Sequence, residues 1–409
     1  MARSKKSSRS PSPARRGRLL RLRTGAAQVR AGHPWIFRDA DVRALGPVAA
    51  GDVVRVMDAR DGSFLAAGLF DPSGTIAVRL FTWDESEDID QDLIVRLLER
   101  ALERRRQLLE RDDTNAWRLV NAEGDGLPGL AIDLYGRYAI VKPYSAIWDA
   151  HLAKVAEQLS RALDLRGVMV QSFVRTEAHA AGAQAAEPLL GEPIPRDATI
   201  LENGFTFLAT VGEKHKTGVF LDARDNRVAL SRLCARARVL NLFSYTAAYS
   251  VYAARAGAHS TTSVDLSRSC AEWAARHLEL NGIDPARHEL VCADVFDFLA
   301  KPPREPFDVV ILDPPSFSTS KRNVMTARKG YHRLIEAACA FVRPGGTLAC
   351  SSNTAQLAAE EFIEITGEAT AAARRSYRIT QVRGLPEDFP TVPLLPRSRY
   401  LKCVIGVVE

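Results

Sequence analysis

The feature that most constrains the fold is the regular alternation of short apolar runs with helical stretches from Arg238 onward. "RVLNLF" precedes a helical "AAYSVYAARAG", "STTSVDLS" precedes "CAEWAARHLELNG", "HELVCAD" precedes a short helix, "FDVVILD" precedes a helix near 330–342, and "GGTLACSS" precedes one near 357–373. Strands separated by helices pair in parallel, with the crossover helices covering both faces of the sheet. The last two apolar runs, "SYRITQVRG" and "RYLKCVIGVV", have no helix between them and read as an antiparallel pair at the sheet edge, making seven strands.

A chain of 409 residues exceeds the size of one hydrophobic core. Residues 18–83 alternate short apolar runs with turn signals, the pattern of a small β-rich domain. Apolar residues recur at helical spacing from Asp92 to Leu109, and residues 116–200 mix strands with one helix near 148–163. A polar, proline-bearing passage at 187–196 and the strand pair "ENGFTFLAT" lead into the alternating region. The expected organisation is a basic tail over 1–17, a β-rich domain over 18–90, a linker helix and α+β domain over 91–200, and the parallel-sheet domain over 201–409.

The net charge of +6 is concentrated at one end. Residues 1–24 hold nine basic residues and no acidic one, leaving 46 basic against 49 acidic residues elsewhere. Such an arm suits a polyanion, although a solvated extension has the same composition. No run approaches the roughly 20 apolar residues of a membrane span, and no apolar segment of a secretory signal follows the basic start. The six cysteines lack CxxC spacing or a histidine cluster, so they read as reduced thiols of a cytoplasmic protein with no metal site.

In an open parallel sheet a ligand sits outside the carboxyl ends of the strands. Those ends carry Asn241 to Thr246, then Asp265, Asp294 and Asp313. A single aspartate there is an ordinary helix cap; three at successive strand ends outline a pocket. Asp265 follows the first loop by about 20 residues, the spacing at which an acid reaches ribose hydroxyls. The loop "NLFSYTAAYS" has no glycine to cradle a pyrophosphate, which disfavours a nicotinamide dinucleotide. A cofactor with a ribose and an adenine but no phosphate fits better. S-adenosyl-L-methionine is such a molecule, with Asp294 placed to accept from its adenine amino group. After the fourth strand, Asp313, Pro314 and Pro315 set a carboxylate and rigid carbonyls at the pocket mouth, suited to gripping the polar edge of a planar base.

These residues resemble a known family. The carboxyl-terminal half is similar to class I S-adenosylmethionine-dependent methyltransferases, specifically bacterial 23S rRNA methyltransferases related to the cytosine-C5 enzymes. "AGHPWIF" and "GDVVRVMD" resemble the RNA-binding PUA domain of that family, and "NAEGDGLPGLAIDLYG" and "VQSFVRTE" resemble its central domain. "KTGVFLDARDNR", "LNLFSYTAAYS", "VDLS" and "LDPPSFSTSK" resemble its cofactor and active-site segments. The resemblance implies a seven-stranded Rossmann-like α/β domain preceded by a β-barrel PUA domain and an α+β central domain. It also implies that Lys216, Thr217, Phe220, Asn241, Phe243, Ser244, Asp265, Asp294 and Asp313 line the cofactor site, with Asp313, Pro314 and Pro315 facing the target base of 23S rRNA. His33 and Trp35 are candidate RNA contacts, although Trp35 and Phe37 also read as barrel core. Lys321 and Arg322, with Arg328 and Lys329, are candidate phosphate contacts beside the pocket. The sequence leaves a homodimer open.

Two departures from the family pattern matter. Ala247 and Ala248 stand where glycines are usual, and each methyl narrows the approach to the cofactor. The catalytic cysteine of cytosine-C5 enzymes, expected shortly after "PGG", is replaced by Asn353. Cys350 lies three residues too early, an odd offset that points it to the other face of a continuing strand. The domain order implies cytosine C5 as the acceptor, whereas the active-site segments also resemble guanine-N7 enzymes and suit an exocyclic amine. An RNA-binding assembly factor with a decayed methyltransferase domain is the non-enzymatic alternative.

Overall fold

The computed structural model describes residues 17–173, 186–209, 217–301, 303–316 and 324–409, the side chains of 324–326 excepted. Lys216, Lys321, Arg322 and all but the last residue of the basic tail lie outside the described residues. The chain divides into two compact units. One comprises the residues up to Arg105 with Leu119–Ile132 and Ala139–Pro193; the other comprises Arg106–Arg118, Asp133–Tyr138 and Ile194–Glu409. Among the described residues no helix is long and apolar enough to cross a membrane.

The chain begins with β1 (Arg18–Leu22), α1 (Ala26–Arg30), β2 (Trp35–Phe37), α2 (Ala40–Arg43), β3 (Val53–Asp58), β4 (Phe64–Phe70) and β5 (Ile76–Thr82). The strands form one sheet in the order β1-β3-β4-β5-β2, with Leu20, Leu22, Val54, Val56, Val78 and Leu80 in its core. Strand periodicity corrects one expectation. Ile36 is the buried residue of β2, so Trp35 and Phe37 share the opposite face. Phe37 is 48% exposed, and half-buried Trp35 donates its indole N–H to Glu123 Oε1 at 2.8 Å.

Next come α3 (Gln91–Arg104), capped by the Asp90 carboxylate, and the short α4 (Arg106–Leu109). Between them, buried Arg105 makes a bidentate pair with Asp125 at 2.7 and 2.8 Å. The following elements are β6 (Ala116–Asn121), β7 (Leu130–Tyr135), β8 (Tyr138–Pro143), α5 (Leu152–Ala162), β9 (Gly167–Val170) and β10 (Glu187–Gly191), in a sheet ordered β10-β9-β8-β7-β6. Composition alone made 187–196 look like a connector. Backbone pairing with β9 overrides it, and Pro188 is tolerated because β10 is an edge strand.

The hairpin β11 (Thr199–Glu202) and β12 (Phe205–Leu208) precedes α6 (Arg224–Ser231) and the alternating region. That region runs β13 (Arg238–Leu242), α7 (Ala248–Arg255), β14 (Ser260–Asp265), α8 (Arg268–Leu280), β15 (His288–Cys292), α9 (Val295–Leu299), β16 (Phe307–Leu312), α10 (Val324–Cys339), β17 (Val342–Ser352), α11 (Ala359–Ala372), β18 (Tyr377–Arg383) and β19 (Lys402–Val408). The seven strands lie in the order β15-β14-β13-β16-β17-β19-β18, parallel through β17, with β19 antiparallel to both of its neighbours. The two sheet faces separate by parity. Leu240, Leu242, Val310, Leu312, Leu348 and Val404 pack with residues of α10 and α11, whereas Val239, Val309, Ile311, Ala349 and Ile405 pack with residues of α6 and α7.

A buried ion pair anchors the connection between β18 and β19. The Arg224 guanidinium donates to both carboxylate oxygens of Asp388 and lies 4.2 Å from the Trp117 ring centroid. Asp388→Ala leaves a buried guanidinium without this carboxylate, so we expect a loss of about 3–5 kcal/mol in chemical denaturation. A loss below about 1 kcal/mol would contradict this account of the anchor.

Candidate active site

The strand order reverses at β13, which is flanked by β14 on one side and β16 on the other, and the crevice opens at their carboxyl ends. Those ends are level. Ser244 N–H donates to Val264 O and Ala293 N–H to Asp265 O, each at 3.0 Å. The loop after β13 is tightly wound, with Phe243, Tyr245 and Ala247 all at positive φ, between 51° and 60°. Non-glycine residues rarely adopt this geometry, and it costs of the order of 1–2 kcal/mol each. Several contacts hold the loop. Asp265 Oδ2 accepts from Tyr245 N–H at 2.9 Å, and Thr246 Oγ1 donates to Gly218 O at 2.6 Å. Buried His277 donates from Nδ1 to Thr246 O and accepts Leu208 N–H at Nε2, both at 3.0 Å. This fixes one neutral tautomer, and burial lowers the His277 pKa to about 4, so the ring stays neutral at physiological pH. Gly218 must be glycine: it has φ +91°, and a Cβ there would lie 1.9 Å from Leu208 O.

A cavity of about 500 Å³ opens above the loop, within the usual range for a cofactor pocket. Asp222, Asp265, Asp294 and Asp313 line it together with Arg227, Tyr249 and Asn353. The four acids are held differently. Asp265 accepts from Tyr245 and Ser267 N–H, and Asp294 caps α9 by accepting from Phe296 and Asp297 N–H. Each of these two keeps further lone pairs for a ligand. Asp222 accepts from the Tyr400 hydroxyl at 2.8 Å. The Asp313 carboxylate accepts no hydrogen bond from the described residues. Its residue keeps partial solvent contact, yet burial among protein atoms raises its pKa to about 7, with Asp222 adding repulsion and Arg227 opposing it. Arg227 is itself committed to Glu202 by bonds of 2.9 and 2.7 Å. The buried Tyr249 hydroxyl has no partner among the described residues, and burial, reinforced by Asp313, keeps it neutral.

Of the residues expected from sequence, Phe220, Phe243, Ser244, Asp265, Asp294, Asp313, Pro314, Pro315 and Asn353 all line the cavity. Asn241 and Thr217 do not. Asn241 points beneath the loop, where Nδ2 donates to Ser250 Oγ at 3.0 Å and Ser250 Oγ bonds Ser263 Oγ at 2.7 Å, a buried polar link joining β13, α7 and β14. Thr217 is buried and donates its hydroxyl to Val219 O. Of the two alanines in the loop, only Ala248 lines the cavity; the Ala247 methyl is fully buried. Cys350 is 1% exposed on the same face as Leu348, and burial pushes its thiol pKa far above the ordinary value. None of the six cysteines lines the cavity. Asn353 does, and its Oδ1 accepts from Ser316 Oγ at 2.7 Å. Arg328, read as a phosphate contact, is paired with Glu368 at 2.7 Å.

Sequence reading missed Asp222, Arg227, Tyr249 and Leu266. The first two sit inside "DARDNR", Asp222 in the turn before α6 and Arg227 in the first part of α6. Leu266, 70% exposed beside Asp265, and Phe220, 50% exposed, offer apolar surface that a bound adenine would cover.

Known proteins agree with this geometry. The model of the S-adenosylmethionine-dependent methyltransferase family matches residues 149–398, and that of a PUA-like domain matches residues 20–83. The chain belongs to the S-adenosylmethionine-dependent methyltransferase family. It is 34% identical to the ribosomal RNA large subunit methyltransferase I of Alteromonas mediterranea over 92% of this chain and 95% of that protein. The Escherichia coli protein of the same name is 32% identical over 90% and 94% of the two chains. A solved methyltransferase in complex with SAH, SMU.776, superposes with a TM-score of 0.82 at 26% identity, covering 93% of this chain and 97% of that one.

S-adenosylmethionine is therefore the cofactor, and the cavity suits it, with two acids holding free lone pairs and exposed apolar surface. Asp265, Leu266 and Asp294 lie together on the cavity wall. The raised pKa of Asp313 has a measurable consequence. An unfolded aspartate titrates near 3.8, so between that value and about 7 the folded protein holds an extra proton. The resulting stabilisation is present below 3.8 and is lost as pH rises through about 7. In the cofactor-free enzyme, Asp313→Asn is expected to flatten the fall in Tm over that interval; parallel Tm profiles for the two proteins would contradict the shift.

Proposed function

We propose that this methyltransferase modifies a base of large-subunit ribosomal RNA, and that the acceptor is a base nitrogen carrying its own lone pair, such as guanine N7 or an exocyclic amine. The first part rests on relatives named as large-subunit rRNA methyltransferases that match over nine-tenths of this chain, with the PUA-like domain at residues 20–83 as a source of RNA affinity. The second part rests on one observation: the cavity has no thiol. Cytosine C5 becomes nucleophilic only after a thiolate adds to C6 of the ring. Here β17 carries Cys350 into the core, and Asn353, just past the end of that strand, lines the cavity wall.

Bound S-adenosylmethionine supplies a methyl group on a positively charged sulfur. The residues around it have the remaining tasks of orientation and proton management. The ionised Asp313 carboxylate and the rigid backbone at Pro314 are acceptors for amino or imino hydrogens on the base edge. Pro315 and the Ser316–Asn353 pair close the mouth on the other side. Asp313, with a pKa near neutrality, can take the proton that an exocyclic amine releases on methylation.

Labelled S-adenosylmethionine is expected to methylate large-subunit rRNA in the presence of the purified chain. Cys350→Ala is expected to keep that rate within about twofold, because the thiol takes no part. Loss of a catalytic nucleophile lowers kcat by roughly 10⁴-fold or more. Such a loss in the Cys350→Ala variant, with its cofactor affinity intact, would restore the covalent route; no transfer to rRNA by the wild-type chain would defeat the reading altogether.

A further inference from the structure

A second, larger concavity of about 940 Å³ lies in the same unit and shares Leu401 with the cofactor cavity. It is built from the turn between β17 and α11 and from the long connection between β18 and β19. Its lining is of two kinds. Leu357, Leu385, Phe389 and the prolines at 386, 390 and 396 supply apolar surface. Arg383, Arg397, Arg399 and Lys402 supply positive charge, against only Glu360 and Glu387.

The cations differ in what they already bind. Lys402 is buried, and its ammonium donates to Thr354 O and Tyr400 O at 2.6 and 2.8 Å, so it fixes the groove wall. Arg383 donates weakly, at 3.4 Å, to Gln381 and to Asp225 O. Arg397 and Arg399 are exposed and make no ion pair with the described residues. Other arginines of this unit are spent on a carboxylate, as Arg224 is on Asp388, Arg227 on Glu202 and Arg328 on Glu368. Two uncommitted guanidinium groups on the rim of an apolar concavity match a single nucleic-acid strand, whose bases rest on apolar surface while its phosphates meet the cations. The Asp388–Arg224 pair holds the 384–401 connection in place, so the groove exists before any ligand arrives.

We infer that this groove holds the RNA strand flanking the target nucleotide, with Arg397 and Arg399 each contacting a phosphate. The inference rests on the proposed action on rRNA and adds where the strand runs. Leu401 lines both concavities, which sets the groove beside the cofactor cavity that the target nucleotide has to enter.

The test uses the full chain, a fragment of large-subunit rRNA as substrate, and the double variant Arg397→Ala/Arg399→Ala. A control, Arg276→Ala/Arg304→Ala, removes the same charge from α8 and from the segment before β16. We expect the double variant to raise the KM for RNA about tenfold, and to reduce the slope of log KM against log salt by about 1.4, the single-strand value for two phosphates. SAH affinity, measured by calorimetry, should stay within about twofold, as should the RNA KM of the control. Wild-type KM and salt slope in the double variant would overturn the groove, as would an equal effect in the control, which would mean bulk charge alone. Absence of rRNA methylation by the wild-type chain would defeat the rRNA reading and the groove with it, which separates that failure from a failure of the groove alone.

Discussion

Four aspartates converge on one cavity, three because parallel strands end at the same level around the reversal in strand order and Asp222 because the segment before α6 folds over them, and the rest of the site follows from how that negative charge is accommodated. Asp265 and Asp294 take two backbone N–H donors each, so their carboxylates are tied to loop and helix ends. Asp222 takes the Tyr400 hydroxyl. Asp313 accepts no such bond from the described residues, and it is the acid whose affinity for a proton rises to near neutrality. The arrangement thus divides anchoring acids from a reactive one. Environment makes that division, since all four side chains are chemically identical: burial, with Asp222 nearby, raises the proton affinity of Asp313, and no hydrogen-bond donor among the described residues offsets it.

A site with three non-glycine residues at positive φ needs a rigid frame. Neutral His277 bridges β12 to Thr246, Gly218 admits the close approach of Leu208 O, and the Asn241–Ser250–Ser263 link ties the loop's two flanks beneath it. These contacts come from β12, α7, α8 and β14, so the loop is held by the hairpin before the sheet as well as by the sheet. Bidentate Arg227–Glu202 pairing adds a further tie from the same hairpin to the cavity wall.

The sheet and the strand-end acids were legible in the sequence because both depend on patterns with a fixed period. Alternating strands and helices force parallel pairing, and the residue after each apolar run must then face the crevice. Strand parity likewise pointed Cys350 to the core, while Asn353 was found by counting from the glycines of "PGG" against the family pattern. Other features depend on contacts distant in sequence and were not legible. Asn241 turned beneath the loop because Ser250 and Ser263 are there to receive it. Phe37 lies outside the core of the first sheet because Ile36 takes the inward position. β10 formed in a polar, proline-bearing stretch because β9 offered an edge. Asp222, Tyr249 and Arg227 were missed because segments preceding the sheet, and the face of a helix, gain meaning only when folded over the pocket.

The central claim is that the geometry of this cavity methylates a lone-pair nitrogen of an rRNA base without a covalent enzyme intermediate. Mass spectrometry of nucleosides from large-subunit rRNA, after reaction with the purified chain and isotopically labelled S-adenosylmethionine, tests it most directly. Label in 7-methylguanosine or in an N-methylated amino nucleoside is the predicted result. Label in 5-methylcytidine would contradict it, because a thiol would then have to reach a cavity in which this structure places none.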